Sequence, residues 1–122
     1  MKLRIKGNSL RSRVSRSEAA RLIQTGRLEE AIGFSPEDSA KLTYALELSA
    51  AAMEMNSRFR PQEITVTLPT LEARQWFKSD QVGLYREAEV GNETSVLAVE
   101  KDFACLDGSE DAYENPSRGK SR

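Results

Sequence analysis

Basic residues that could bind an anion lie close together at the start of the chain. Five of them alternate with other residues on either side of Gly7-Asn8, which places them on one face of a predicted hairpin: Lys2, Arg4, Lys6, Arg11 and Arg13. Lysine and arginine donate charge-assisted hydrogen bonds to phosphate and carboxylate oxygens. We therefore interpret these five residues as the candidate ligand-binding face, hereafter the basic face, for an anionic small molecule or an acidic protein surface.

The length of the turn sets the register of this hairpin. Gly7-Asn8 is a two-residue turn signal, since both residue types tolerate positive φ, and it pairs Lys6 with Ser9. Continuing outward, Arg4 faces Arg11 and Lys2 faces Arg13. Like charges that lie directly opposite one another destabilise a sheet by up to about 1 kcal/mol per pair. The basic face therefore needs an explanation.

Three explanations fit the sequence. Glu30, Glu47 or Glu100 on neighbouring strands could neutralise the cations, or the cations could bind phosphates of a ligand. Alternatively, the basic face could be a self-association or partner surface that meets an acidic patch elsewhere, such as the C-terminal tail. Nucleic acid is the weaker form of the second explanation. The net charge of the chain is −1, and the hairpin contains no aromatic residue on which a base could stack.

Other chemistry has little support. The chain has no histidine and one cysteine, which removes the usual zinc sites and every nucleophile that depends on histidine, so we predict no metal and no cofactor. Cys105 is interpreted as a structural thiol. Five acidic residues near the C-terminus lack the spacing of a calcium loop and are interpreted as a solvated cluster: Asp102, Asp107, Glu110, Asp111 and Glu114.

The elements that would position the basic face are short. Alternating apolar residues predict strands in the hairpin and at about 28–34, 41–48, 53–59, 64–68, 82–89 and 94–101. Ser15 and Glu18 form an S-x-x-E capping box, which predicts a helix over 16–25, and Pro69-Thr70 begins a second helix that ends at about Lys78.

The order of elements repeats along the chain. A shift of 54 residues places Leu10, Ser12 and Val14 on Ile64, Val66 and Leu68. We predict an α+β fold, a mostly antiparallel sheet or barrel-like structure built from a duplicated ββαββ unit. The expected single domain covers 1–106, with pseudo-repeats at about 1–50 and 53–104, and 107–122 is a polar, partly disordered tail. No apolar run is long enough for a membrane span and no signal peptide is evident, so we expect a cytoplasmic protein without membrane contact.

Several stretches, among them MKLRIKGNSLR, SEAARLIQTGRLEE, LTYALE and VEKDFACL, resemble a family of small bacterial proteins of unknown function over about residues 1–116. The resemblance implies one real domain and no activity.

Two halves with charged strand faces also resemble the triphosphate tunnel enzymes at the level of the fold. Those enzymes begin with a metal-binding E-x-E-x-K strand, whereas this chain has Lys2-Leu3-Arg4-Ile5-Lys6. We therefore expect a non-enzymatic binding module that uses the basic face. The alternative is a tunnel-type phosphohydrolase acting on a phosphorylated small molecule, with Glu87, Glu89 and Glu100 as its metal ligands.

Overall fold

A computed structural model describes residues 1–103 of the chain. The two helices are α1 (Arg16–Thr25) and α2 (Thr70–Lys78), and a single 3₁₀ turn covers Asp38–Ala40. The eight strands are β1 (Lys2–Lys6), β2 (Ser9–Val14), β3 (Arg27–Gly33), β4 (Lys41–Ser49), β5 (Asn56–Arg60), β6 (Glu63–Pro69), β7 (Gly83–Val90) and β8 (Glu93–Lys101). Both helices agree with the prediction, and β5 begins three residues later than predicted.

The strands form two four-stranded mixed sheets rather than one closed barrel. The first sheet has the order β1-β2-β8-β7 and the second has the order β5-β6-β4-β3. The pairs within each hairpin are antiparallel, whereas the central pairs β2–β8 and β4–β6 are parallel. The α+β class and the duplicated ββαββ unit are confirmed.

Each half of the chain contributes one hairpin to each sheet. The first half places β1–β2 in the first sheet and β3–β4 in the second, and the second half does the reverse. The registers fix the equivalence of the halves, because Ala98 pairs with Arg11 and Ala45 pairs with Thr65. Leu28 pairs with Leu46 of β4, and Leu84 pairs with Val99, the equivalent residue of β8. Leu28 and Leu84 are therefore equivalent, and both are buried. The shift of 54 residues, which would match Leu28 to Val82, is therefore wrong in this strand.

Helix α1 has complete end signals. The Ser15 side chain accepts from the Glu18 backbone N–H, and the Glu18 carboxylate accepts from the Ser15 backbone N–H, as the capping box predicts. Gly26, with φ of 84°, donates its N–H to Leu22 and ends the helix. The buried side of this helix joins the core between the sheets.

Helix α2 lacks a side-chain cap and relies on packing. Pro69 precedes it, and no side chain caps its N-terminus. Ala73 and Trp76 are fully buried, and Trp76 Nε1 donates to the Val82 carbonyl oxygen over 3.1 Å. The indole therefore buries its ring without leaving its N–H unsatisfied.

An ion pair anchors the first helix to the start of the chain. The Met1 ammonium contacts the Glu18 carboxylate and lies 2.8 Å from Glu30 Oε2. Burial raises the pKa of Glu18, but hydrogen bonds from the Met1 ammonium and the Ser15 backbone outweigh it, so that the pKa lies below its ordinary value.

Cys105, the predicted tail 107–122 and the domain boundary at 106 lie outside the described residues. Within residues 1–103, neither helix has the length and apolar character that crossing a bilayer requires.

Candidate functional site

The predicted register of the first hairpin is confirmed. Lys2 pairs with Arg13, Arg4 with Arg11, and Lys6 with Ser9. Successive residues of a strand point to opposite faces, so all five predicted cations lie on the outer face of the first sheet, away from the core. The structure thus brings the whole basic face together, and its two ends differ in what surrounds them.

The cations at the Met1 end of the hairpin have an acidic partner within the chain. Asp102 Oδ2 lies 2.9 Å from Lys2 Nζ, and Asp102 Oδ1 lies 3.2 Å from an Arg13 guanidinium nitrogen. Asp102 is only 7% exposed, and its backbone N–H donates to the Val14 carbonyl over 2.8 Å. Lys2, Arg13 and Asp102, hereafter the proximal cluster, form a neutralising contact within the fold.

The prediction for Asp102 is wrong. The sequence predicts that it belongs to a solvated acidic cluster, whereas the structure places it directly after β8, next to the end of β2. Only the parallel β2–β8 pairing brings it there, and no local signal predicts that pairing.

Arg11 lies between an acidic partner and an open pocket. Its Nε is 3.4 Å from Glu100 Oε1, so that Glu100 is one of the neutralising residues that the sequence suggested. The Tyr85 hydroxyl donates to Glu100 Oε2 over 2.7 Å. That hydrogen bond, together with desolvation and the charge of Glu100, raises the pKa of Tyr85. The tyrosine crosses Gly83, where a Cβ would lie 2.6 Å from its hydroxyl oxygen. A larger residue at position 83 would therefore displace Tyr85.

The other two expected acidic partners lie elsewhere. Glu30 accepts from the Met1 ammonium and from the Tyr44 hydroxyl, and Glu47 contacts Arg27 and Arg58 on the second sheet. The hypothesis that Glu30 or Glu47 neutralises the basic face is therefore wrong.

At the turn end of the hairpin, the cations surround a small pocket. It has a volume of about 170 Å³ and is lined by Arg4, Lys6, Ser9 and Arg11, hereafter the distal pocket. The Ser9 hydroxyl donates to the Lys6 carbonyl oxygen over 2.8 Å, so its oxygen can still accept a hydrogen bond. Within residues 1–103, neither Arg4 nor Lys6 forms an ion pair with an acidic side chain, in contrast to Lys2 and Arg13 at the other end.

The carboxylates of the phosphohydrolase alternative do not form a metal site. Glu100 faces Gly83 across the β7–β8 pair, whereas Glu87 and Glu89 face Val96 and Thr94 farther along the same strands. Among the described residues, no group of three acidic, cysteine or histidine side chains could hold a metal ion. The structure therefore does not bring the three glutamates together.

A protein-family model, that of the family of unknown function DUF7009, matches the chain over residues 1–117. The chain belongs to this family. The predicted resemblance to a family of unknown function is thereby confirmed. No curated protein and no solved structure matches the chain.

Proposed function

We propose that this DUF7009 member is a non-enzymatic binding module whose distal pocket holds an anionic group of a small molecule. The observation that supports this most directly is the contrast within the basic face. In the proximal cluster, Asp102 contacts Lys2 and Arg13. By contrast, Arg4 and Lys6 line an open pocket and have no acidic partner among the described residues.

The like-charge pairing makes an anion the natural occupant. Arg4 and Arg11 lie directly opposite one another, an arrangement that costs up to about 1 kcal/mol for like charges and that the Glu100 contact of Arg11 offsets in part. An oxyanion in the distal pocket would remove that repulsion and accept charge-assisted hydrogen bonds from both guanidinium groups. Binding of the anion would therefore also stabilise the folded hairpin.

The extent of the pocket favours a single phosphate or carboxylate group over a polyanion. Four residues of two neighbouring strands line it, and its volume is about 170 Å³. Tyr85, the aromatic residue on this face, lies beyond β8 from the hairpin, and its hydroxyl bonds Glu100. Within residues 1–103, no aromatic ring lies beside the cations as a stacking platform, which disfavours nucleic acid.

A calorimetric titration with methyl phosphate tests the proposal. The paired substitution Arg4→Gln with Lys6→Gln is expected to weaken binding at least about tenfold, since it removes two phosphate contacts. Arg58 and Arg60 occupy the equivalent positions of β5, so Arg58→Gln with Arg60→Gln removes the same charge from the other sheet and is the matched control. That control is expected to bind within about twofold of the unsubstituted chain, because exposed distant charges are screened.

Two results would overturn the proposal. One is the absence of binding to phosphate, triphosphate and small carboxylates. The other is equal weakening by both pairs of substitutions, which would indicate a general effect of net charge. Binding to an acidic peptide with no response to small anions would assign the basic face to a protein partner instead.

A further inference from the structure

A second cavity lies on the opposite side of the same hairpin. It is an open cleft of about 180 Å³ between the first hairpin and β5, hereafter the tip cleft. Its apolar walls are Ile5, Leu10 and Leu97, and the rest of its lining is Gly7, Asn8, Ser9, Ser57 and Ser95. Ser9 lines this cleft and the distal pocket alike, so the two cavities share one wall.

Two of the residues that line the tip cleft are serines at positions where the other half of the chain has leucines. Ser57 occupies the position in β5 that Leu3 occupies in β1, and Ser95 occupies the position in β8 that Leu42 occupies in β4. The first half thus carries leucines where the second half carries serines. The apolar wall is also left in contact with solvent, since Ile5 is 59% exposed.

The edge strand β1 contributes residues to both cavities. β1 is the outermost strand of the first sheet, and its consecutive residues Ile5 and Lys6 point to opposite faces. Gly7, with φ of 55°, follows without a side chain, and no atom lies within 4 Å of the place where its Cβ would be. A flexible chain can therefore pass from the cations to the apolar wall without crossing another element.

We propose that the distal pocket and the tip cleft form one composite site for a single-chain amphiphilic anion, such as an alkyl phosphate. The phosphate group contacts Arg4, Lys6 and Arg11, and the alkyl chain packs on Ile5, Leu10 and Leu97. This inference rests on the proposed anion-binding function and adds the class of ligand to it. Burying methylene groups against the apolar wall supplies affinity that a bare phosphate lacks.

The test compares methyl phosphate with hexyl phosphate, each titrated as a monomer in calorimetry. Hexyl phosphate is expected to bind at least about tenfold more tightly, which requires only partial burial of the added methylenes. Ser57→Leu, which introduces the residue of the other half, is expected to abolish that gain and to leave the affinity for methyl phosphate within about twofold.

Asn56→Leu is the matched control for this substitution. It adds the same side chain to the adjacent exposed position of β5, on the opposite face of the strand. The control is expected to keep the full preference for hexyl phosphate. Ser95→Leu provides a second way to fill the cleft should Ser57→Leu fail to fold.

The outcomes separate this inference from the proposed function. If methyl phosphate binds and hexyl phosphate binds no more tightly, the composite site is wrong and the anion pocket stands. A gain that survives both Ser57→Leu and Ser95→Leu also overturns the composite site. Binding only to vesicles that contain an anionic lipid would assign the surface to membranes, and the absence of binding to any phosphate would overturn both proposals.

Discussion

The two sheets have the same arrangement of strands, but they differ in where the charged residues of their outer faces lie. On the second sheet, Arg27 of the edge strand β3 contacts Glu29, Glu47 and Glu63. On the first sheet, the position equivalent to Arg27 is Gly83, and Tyr85 crosses it to reach Glu100. The positive charge of the first sheet is instead concentrated on the hairpin.

A single position accounts for much of this difference. Glu63 occupies the place in β6 that Ser9 occupies in β2, directly opposite the last residue of the preceding strand. On the second sheet, Arg60 therefore faces a carboxylate, whereas Lys6 faces a hydroxyl. The second sheet thus has a carboxylate at the position where the first sheet has a hydroxyl.

The largest expected difference between the halves lies at the N-termini of their helices. Glu18 accepts from the Met1 ammonium and caps α1, whereas the equivalent Glu72 of α2 is exposed. Glu18→Gln is expected to lower the free energy of unfolding by about 2 kcal/mol, because it removes charge-assisted hydrogen bonds at a partly buried site. Glu72→Gln, the matched control, is expected to change it by less than about 0.5 kcal/mol. Urea denaturation measures both, and equal effects would contradict the proposed difference.

The same pair of residues gives a pH dependence with a defined sign. The pKa of Glu18 lies below its ordinary value of 4.5, so its stabilising contribution is complete above that value and is lost as the pH falls through the lower, folded-state pKa. Burial lowers the pKa of the Met1 ammonium, but the contacts with Glu18 and Glu30 outweigh it and raise the pKa above 8.0. That contribution is complete below pH 8.0 and is lost at higher pH. Glu18→Gln is expected to weaken both dependences, which denaturation series across pH would show.

The next effect concerns the two ends of the basic face. Asp102→Ser introduces the residue of the equivalent position, Ser49, and is expected to cost about 1 to 2 kcal/mol of unfolding free energy. It also removes the acidic partner of Lys2 and Arg13, so the affinity for methyl phosphate is expected to rise about twofold or more. Denaturation and calorimetry measure the two effects, and a loss of affinity in a folded variant would contradict the division of the face.

Exchanging the residues opposite Lys6 and Arg60 would reverse the comparison directly. Ser9→Glu is expected to weaken phosphate binding at least about tenfold and to stabilise the fold by about 0.5 kcal/mol, because it supplies a cross-strand counter-charge. Glu63→Ser on the second sheet is the reciprocal substitution and is expected to be mildly destabilising, with phosphate binding at the distal pocket unchanged. Binding that persists in Ser9→Glu would exclude the distal pocket as the site.

The smallest effect is expected at Tyr85. Tyr85→Phe removes the hydrogen bond to Glu100 at an exposed position, and we expect a loss below about 1 kcal/mol. One tyrosine that titrates at raised pKa should disappear from the alkaline absorbance titration. A change of several kcal/mol would mean that the phenol supports the sheet in a way its contacts do not show.

The sequence predicts the local parts of this structure well. The turn Gly7-Asn8 gave the register that places Arg4 opposite Arg11, and Ser15 with Glu18 gave the start of α1. Both residue types of this turn tolerate a positive φ, and of the two only Gly7 adopts it. These features depend on a few adjacent residues, which is why the pattern predicts them.

The parts that it misses depend on distant contacts. Asp102 neutralises Lys2 across a separation of 100 residues, through the parallel pairing of β2 with β8. In the distal pocket, Ser9 occupies the position that Glu63 occupies on the second sheet, and this difference is seen only when the two halves are aligned. Predicting the tip cleft likewise requires knowing that the first hairpin lies opposite Ser57 of β5.

The parallel pairing of β2 with β8 has a consequence for synthesis of the chain. Leu10 pairs with Leu97, so at translation rates of about 5 to 20 residues per second β2 waits from about 4 to about 17 seconds for its neighbour. The first hairpin itself forms within microseconds. Until β8 emerges from the ribosome, β2 presents an unpaired edge to other nascent chains. Arg11 and Arg13 of that strand would oppose its pairing with a second strand of the same kind, so the charges of the basic face would also limit aggregation during synthesis.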